Sequence, residues 1–460
     1  MSLPAPQEVV ERALATANDD RCVVIVEESS QSEIRFANNT TTTNGRRRDR
    51  RVVVIRFSDV EGGVAAGVAS QSGDVDVTAM VEAAAADAES SPPSPDAAPL
   101  VEGGADAAFD QPPAEGELAA FAPILDDLAG AFDAARSSDR VLAGFLEHQT
   151  DTVYLGSSTG LRKRHSQPTG AVHLVARSAD GTRSAWVADA AGDLGRVDVP
   201  AMDARLATRL RWAERTVALD AGRYEVVLPP EAVADLMVDL TNYAGGQDAE
   251  EGRTVFSAPG GGTRLGEQLC PLPFHLYGDP AEPGLECTPF LAVGASSSDA
   301  SVFDNGMPIG ATPWLTEGRL ANLHYHRAAA ARSGAQFAPP VDNLVLELDG
   351  AQGTTEELVA RTERGLLLTC LWYIREVDPS TLLLTGLTRD GVYLVEGGEI
   401  VGAVNNFRFN ESPVDLLART IEAGASVRAL GREFGEWVNR SRMPPLRVAD
   451  FNMSSTSAAS

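Results

Sequence analysis

Residues 225–240 read EVVLPPEAVADLMVDL, a strand that runs straight into a helix. Tyr224, Val226 and Leu228 alternate as a half-buried strand does. Pro229 and Pro230 end it, and proline suits a first helical turn because its missing N–H would go unpaired there anyway. Glu231 stands near the positive end of the helix dipole. Val233, Leu236, Met237 and Leu240 follow at helical spacing and form the expected packing stripe. Local physics accounts for every residue of this junction, so any chemistry assigned to it needs support from the rest of the chain.

Outward from the junction, 460 residues exceed what one hydrophobic core organises, and a prior of roughly 150 residues per unit gives about three units. With 43% hydrophobic and 22% charged residues, ordinary packed cores and a soluble globular protein are expected. A formal charge of −27 repels phosphate and argues against a nucleic-acid partner. The exception is GRRRDRR at residues 45–51. It reads as a solvated hairpin turn between strands around residues 33–37 and 52–57, with a phosphate or acidic-partner patch as the alternative. Cys22, Cys270, Cys287 and Cys370 lie far apart with no C-x-x-C pair, so neither a zinc knuckle nor a disulfide framework is expected. The N-terminal stretch lacks the basic start and unbroken apolar run of a signal peptide. The longest apolar run, GLLLTCLWYI at residues 365–374, is too short to span a bilayer. No membrane partner and a cytoplasmic location are the simplest expectation.

Hydrophobic periodicity divides the chain further. Residues 1–89 read as an α/β unit: a helix over 8–17, β segments in RCVVIVEES, SEIRFANN and RRVVVIRFS, and a helix over 77–88. Residues 90–117 are rich in Pro, Ala, Gly and acid and read as an extended linker or surface loop. Residues 118–219 form a small middle unit with a helix over 123–136, three strands, and an Arg-rich amphipathic helix over 200–217. Residues 220–460 form a β-rich unit with helices near 231–241, 320–333 and 413–423.

Three motifs offer chemistry of their own. GSSTG at residues 156–160 places Ser158 at a hydrolase nucleophile position, but that role needs a strand, a strained turn and a helix. LRKRHSQPTGAVHLV follows instead, and a hairpin turn is the better reading. APGGGTRLGEQL, residues 258–269, lacks the Gly-Lys-Ser/Thr and long helix of a phosphate cradle and reads as a mobile loop. His324 and His326 form the one close histidine pair. On a strand they would share a face and could hold a metal with a third ligand such as Cys370; their surroundings look helical, where they would diverge.

Five segments in order give the chain a resemblance to a known family. IRFANN (34–39), GSSTG (156–160), VFDNGMPIGATPWLTEGRL (302–320), LLTGLTRDGVYLVEGGEIVGAV (383–404) and MPPLRVADFNMSS (443–455) are similar to segments of the TldD/PmbA metallopeptidase family. TldD-type members are zinc peptidases; PmbA (TldE-type) members are their partners. The likeness spans nearly the whole chain and is strongest in the third unit. It implies an α+β fold: an α/β N-terminal domain, a small middle domain and a large, β-rich, barrel-like C-terminal domain.

In TldD-type members the junction reads H-E-A-x-G-H, with a cysteine near the C-terminus completing the zinc site. Laid on this sequence, the histidine positions fall at Pro230 and Asp235 and the glutamate at Glu231. No cysteine follows Cys370, so residues 432–442 lack the third ligand. A catalytic zinc needs three protein ligands and an open position, and a glutamate alone does not activate water. The resemblance therefore implies a zinc-motif-lacking, TldE/PmbA-like member, with no cofactor in this chain and zinc in a TldD-like partner. The pair, a heterodimer, would bound a chamber for proteolysis of unfolded or modified extended peptides. The alternatives are a self-sufficient peptidase with displaced ligands, His324 and His326 being the candidates, and a non-enzymatic homodimeric scaffold in peptide maturation.

Overall fold

The computed structural model describes residues 3–19 and 21–457. Its first half is built on one antiparallel sheet of Cys22–Ala37 (β1), Thr40–Val60 (β2), Gly63–Ser72 (β3), Arg140–Ser157 (β4), Arg162–Ser178 (β5) and Ser184–Ala190 (β6), in the order β3-β2-β1-β4-β5-β6. Segments 1–89 and 118–219 thus share a single sheet, joined where β1 pairs with β4 over most of its length. The connection between them runs along that sheet and is pinned to it. Gly116 O accepts from Ser30 and Ser32, Ala114 N donates to Thr152, and Phe109 is buried against Tyr154.

The hairpin turn between β1 and β2 lies at Asn38-Asn39, both in the left-handed region with φ of 53° and 59°, which asparagine tolerates and two-residue hairpins require. The expectation of a turn at 45–51 is corrected: the arginines lie within β2, opposite Glu27–Ser32 of β1. They are answered from within the chain, Arg46 and Arg48 by Glu115, Arg50 by Glu28 and Arg51 by Glu27.

Helices Pro6–Ala17 (α1) and Val77–Ser90 (α2) cover one face, packing on Val24, Val26, Val52 and Val54. Val23, Ile25, Val53 and Ile55 point the other way, into Phe290, Val302 and Phe303 of the C-terminal part. Strands buried on both faces read as unbroken valine runs. Ala122–Ser137 (α3) and Val199–Trp212 (α4) pack on β4 and β5. α4 is shorter than its sequence pattern suggests. It stops at Trp212, and Thr216–Val217 (β7) pairs instead with Glu399–Val404.

The C-terminal part is β-rich, with a ten-stranded sheet, a second six-stranded sheet and the form of a half-barrel. Gly222–Leu228 (β8) is central in the larger sheet, between Arg364–Leu368 and Leu446–Thr456. Two helices are shorter than their apolar spacing suggests. Residues 320–326 are extended and only Arg327–Ser333 is helical. Pro413–Ala418 is followed by a strand, Thr420–Ala423, paired with Leu446–Thr456. The fold class is α+β. Among the described residues no helix is long and apolar enough to cross a membrane.

Candidate functional site

The junction forms as its residues dictate. β8 ends at Leu228, Pro230 takes the first helical position, and helix α5 runs Pro230–Asn242. The expected packing stripe is buried, and burial extends further, to every residue from Pro230 to Leu240. Val233, Leu236, Met237 and Leu240 share one core with Leu276 and Leu344 of the smaller sheet and Leu366 and Leu446 of the larger. A helix enclosed on all sides has no solvent face for its acids. Glu231, Asp235 and Asp239 recur every fourth residue along one face, and each is answered differently.

Glu231 Oε1 accepts from Arg205 Nη1 of α4 at 3.1 Å. One turn further along α4, Arg209 is buried and donates Nη1 to Trp186 O at 2.5 Å. Burial lowers the Arg209 pKa, with Glu231 opposing.

Asp235, 1% exposed, occupies a cradle of backbone amides. Its Oδ2 accepts from Arg432 N at 2.9 Å, and its Oδ1 from Glu433 N and Phe434 N at 3.0 Å each. The chain fits the carboxylate so closely that a Cβ on Gly431 would lie 2.3 Å from Asp235 Oδ1. Successive N–H groups converging on one anion form a nest. Burial nevertheless pushes Asp235 up to about 7 against the pull of those amides. Asp239 has a buried Oδ2 with no partner, and burial with the nearby Glu433 raises it to about 7. Glu433 is itself held, accepting from Tyr373 N at 3.0 Å and Arg375 Nη1 at 2.7 Å.

These residues do not fit a catalytic zinc ion. Pro230 offers no ligand atom, both oxygens of Asp235 are engaged by backbone amides, and Glu231 is paired with an arginine. Cys370 is buried nearby, and burial drives its thiol strongly upward, away from the thiolate a metal takes. Among the described residues no group of three or more His, Cys, Asp or Glu side chains is placed to hold a metal ion.

The histidine pair lies elsewhere. His324 packs edge-on against Trp314 with ring centroids 4.5 Å apart, and burial lowers it to about 4. His326 caps the helix Arg327–Ser333 by accepting from Ala329 N at 3.3 Å. Ser158 lies in the tight β4–β5 turn and is tied to Cys22, accepting from its N at 3.0 Å and donating to its O at 3.2 Å. Residues 258–269 form a loop in which Gly260, Gly261 and Gly262 all have positive φ, with open space around each.

A cavity of about 640 Å³ opens over the N-terminal end of α5. α4 forms one wall with Arg205, Arg209 and Trp212; Pro229, Pro230 and Pro445 lie opposite. In the sequence these arginines belong to an Arg-rich amphipathic helix. Their spacing of four residues was the available signal, but nothing local says which element they face.

The family model described as the PmbA/TldA metallopeptidase C-terminal domain matches residues 221–455, more than half of the chain. No curated protein matches the sequence. Among solved structures, TldE from Thermococcus kodakarensis is similar with a TM-score of 0.77 at 16% identity, over 98% of this chain and 99% of that one. A protein from Thermotoga maritima, described as a candidate modulator of a DNA gyrase, gives 0.75 at 17% identity over 97% and 99%. A similarly described protein from Bacteroides thetaiotaomicron gives 0.71 at 14% over 98% and 98%. The chain belongs to the PmbA/TldD metallopeptidase family.

Proposed function

We propose that this chain is a TldE-like, non-catalytic subunit that pairs with a zinc-bearing TldD-like chain in the cytoplasm and completes a chamber for extended peptide substrates. The observation that carries this reading is the Asp235 cradle. At the position of a zinc-binding histidine stands a carboxylate whose two oxygens accept three amides from residues 432–434. That segment would carry the cysteine ligand in a TldD-type chain. Helix and segment are joined here by carboxylate-to-amide hydrogen bonds, as befits a subunit that keeps the family's shape and leaves the chemistry to its partner. Strand edges and loops around the chamber would take a peptide through its backbone, which is largely independent of side-chain sequence.

Co-expression with a chain carrying H-E-x-x-x-H tests the pairing. The expected result is co-purification as a complex whose native mass is the sum of one copy of each. A stable homodimer that ignores such a partner would instead support a self-contained scaffold.

A further inference from the structure

We propose that the cavity above the N-terminal end of α5 is a carboxylate-binding site in which Arg209, assisted by Arg205, takes the acid group of a small organic acid or of a peptide C-terminus. The inference goes beyond the pairing reading and stands whether or not the chain has a partner.

Arg209 carries the argument. It is only 8% exposed and lines the cavity, yet no ion pair to it is formed among the described residues. A buried guanidinium without a counter-ion is costly, and such groups are normally paired. Its Nη1 is used on Trp186 O. Among the described residues its Nε and Nη2 form no hydrogen bond, and the side chain lines the cavity.

Acids around the cavity form no ion pair with Arg209, although the charge of Glu231 offsets part of the cost of burying it. Glu231 is engaged by Arg205 at 3.1 Å. Asp189 is held by Arg428 through two bonds of 2.7 and 2.6 Å. Asp198 caps α4 by accepting from Ala201 N at 2.8 Å, and Glu356 is exposed. Arg209 is the lining arginine without an ion pair, set among Trp212, Pro229 and Pro445, although the acids Asp189, Asp198, Glu231 and Glu356 outnumber Arg205, Arg209 and Arg428 around the cavity. In such surroundings a charge-assisted bond is stronger than in water, and the positive end of α5 adds to the attraction. The volume suits a small ligand or the last few residues of a peptide.

The test uses the purified full chain and titration calorimetry with three probes: acetylated tetra-alanine with a free C-terminus, its C-terminal amide, and succinate. The free acid is expected to bind at least about tenfold more tightly than the amide. Arg205→Gln should weaken it about threefold or more, and Ala204→Trp, an exposed change beside the cavity, should block it. Arg209→Met should abolish binding; the two α4 surface variants keep the test valid if that protein fails to fold. Succinate matching the peptide assigns the site to small acids, and a preference for the peptide assigns it to a chain terminus. Equal binding of acid and amide, no saturation by any acid probe below about 10 mM, or binding indifferent to both Arg205→Gln and Ala204→Trp would overturn the proposal.

Discussion

Asp235 performs as a cross-linker. Three amides from residues 432–434 end on its two oxygens, so removing the carboxylate strands three N–H groups at once, that of Phe434 buried and the other two part-buried. Asp235→Ala should cost about 3 kcal/mol, read by urea unfolding. Hydrogen exchange should show the Arg432, Glu433 and Phe434 amides losing protection more than the rest of the core. Asp239 gives a pH dependence. An unfolded aspartate titrates near 3.8, while in the fold burial and Glu433 raise Asp239 to about 7. The folded state therefore holds an extra proton between those values. Stability from this group is full below the lower value and is lost as the pH rises toward about 7. Arg375 opposes the shift and Glu376 adds to it. Asp239→Asn should be more stable than the parent by about 2 kcal/mol near pH 8, with a flatter stability profile. Asp235 titrates in the same window with the same sign, so part of the slope should remain. The sequence shows an aspartate within an apolar helix; its partners lie 197 to 199 residues away, beyond any local pattern.

At the level of elements, α5 was legible as a helix with its start at Pro230, because proline and period both act locally. Its all-round burial was not, since that depends on two sheets closing over it. The same limit explains the arginine run: local composition suggests a turn, but pairing with Glu27–Glu33 and ion pairs to Glu27, Glu28 and Glu115 make it strand. Apolar spacing around residues 320–326 suggests helix, yet isolated bridges of His324 with Gly245 and Tyr325 with Ala338 hold it extended. Close approach between elements also leaves one clear test. A Cβ on Gly67 of β3 would lie 2.2 Å from Ala84 O and 2.2 Å from Ala88 N, both backbone atoms of α2. Gly67→Ala should push α2 from the sheet at a cost of about 2 kcal/mol or more, visible as a lower urea midpoint. An unchanged midpoint would mean that α2 sits less tightly on β3 than these distances require.

Across the whole molecule, the α+β class and the large β-rich C-terminal part were readable from alternation and from family-like segments in order. The sheet shared by residues 1–89 and 118–219 was not, because β1 and β4 are separated by a Pro-rich stretch that looks like a linker and behaves as a pinned surface loop. The candidate site divides similarly. Pro230, Glu231 and Asp235 are visible in the sequence, whereas Arg205, which pairs with Glu231, and Arg209, which lines the cavity above the junction, come from another part of the chain. On the proposed reading, the carboxylate that joins the family's helix to the C-terminal segment, with no metal-holding group among the described residues, leaves the chemistry to a partner. Metal content measures this most directly, on the chain alone and on the chain purified with a TldD-like partner. The account predicts no stoichiometric zinc and no peptide cleavage in the chain alone. It predicts about one zinc per pair, lost when the partner's motif histidines are replaced. Stoichiometric zinc in the chain alone, with chelator-sensitive cleavage of peptides, would contradict it.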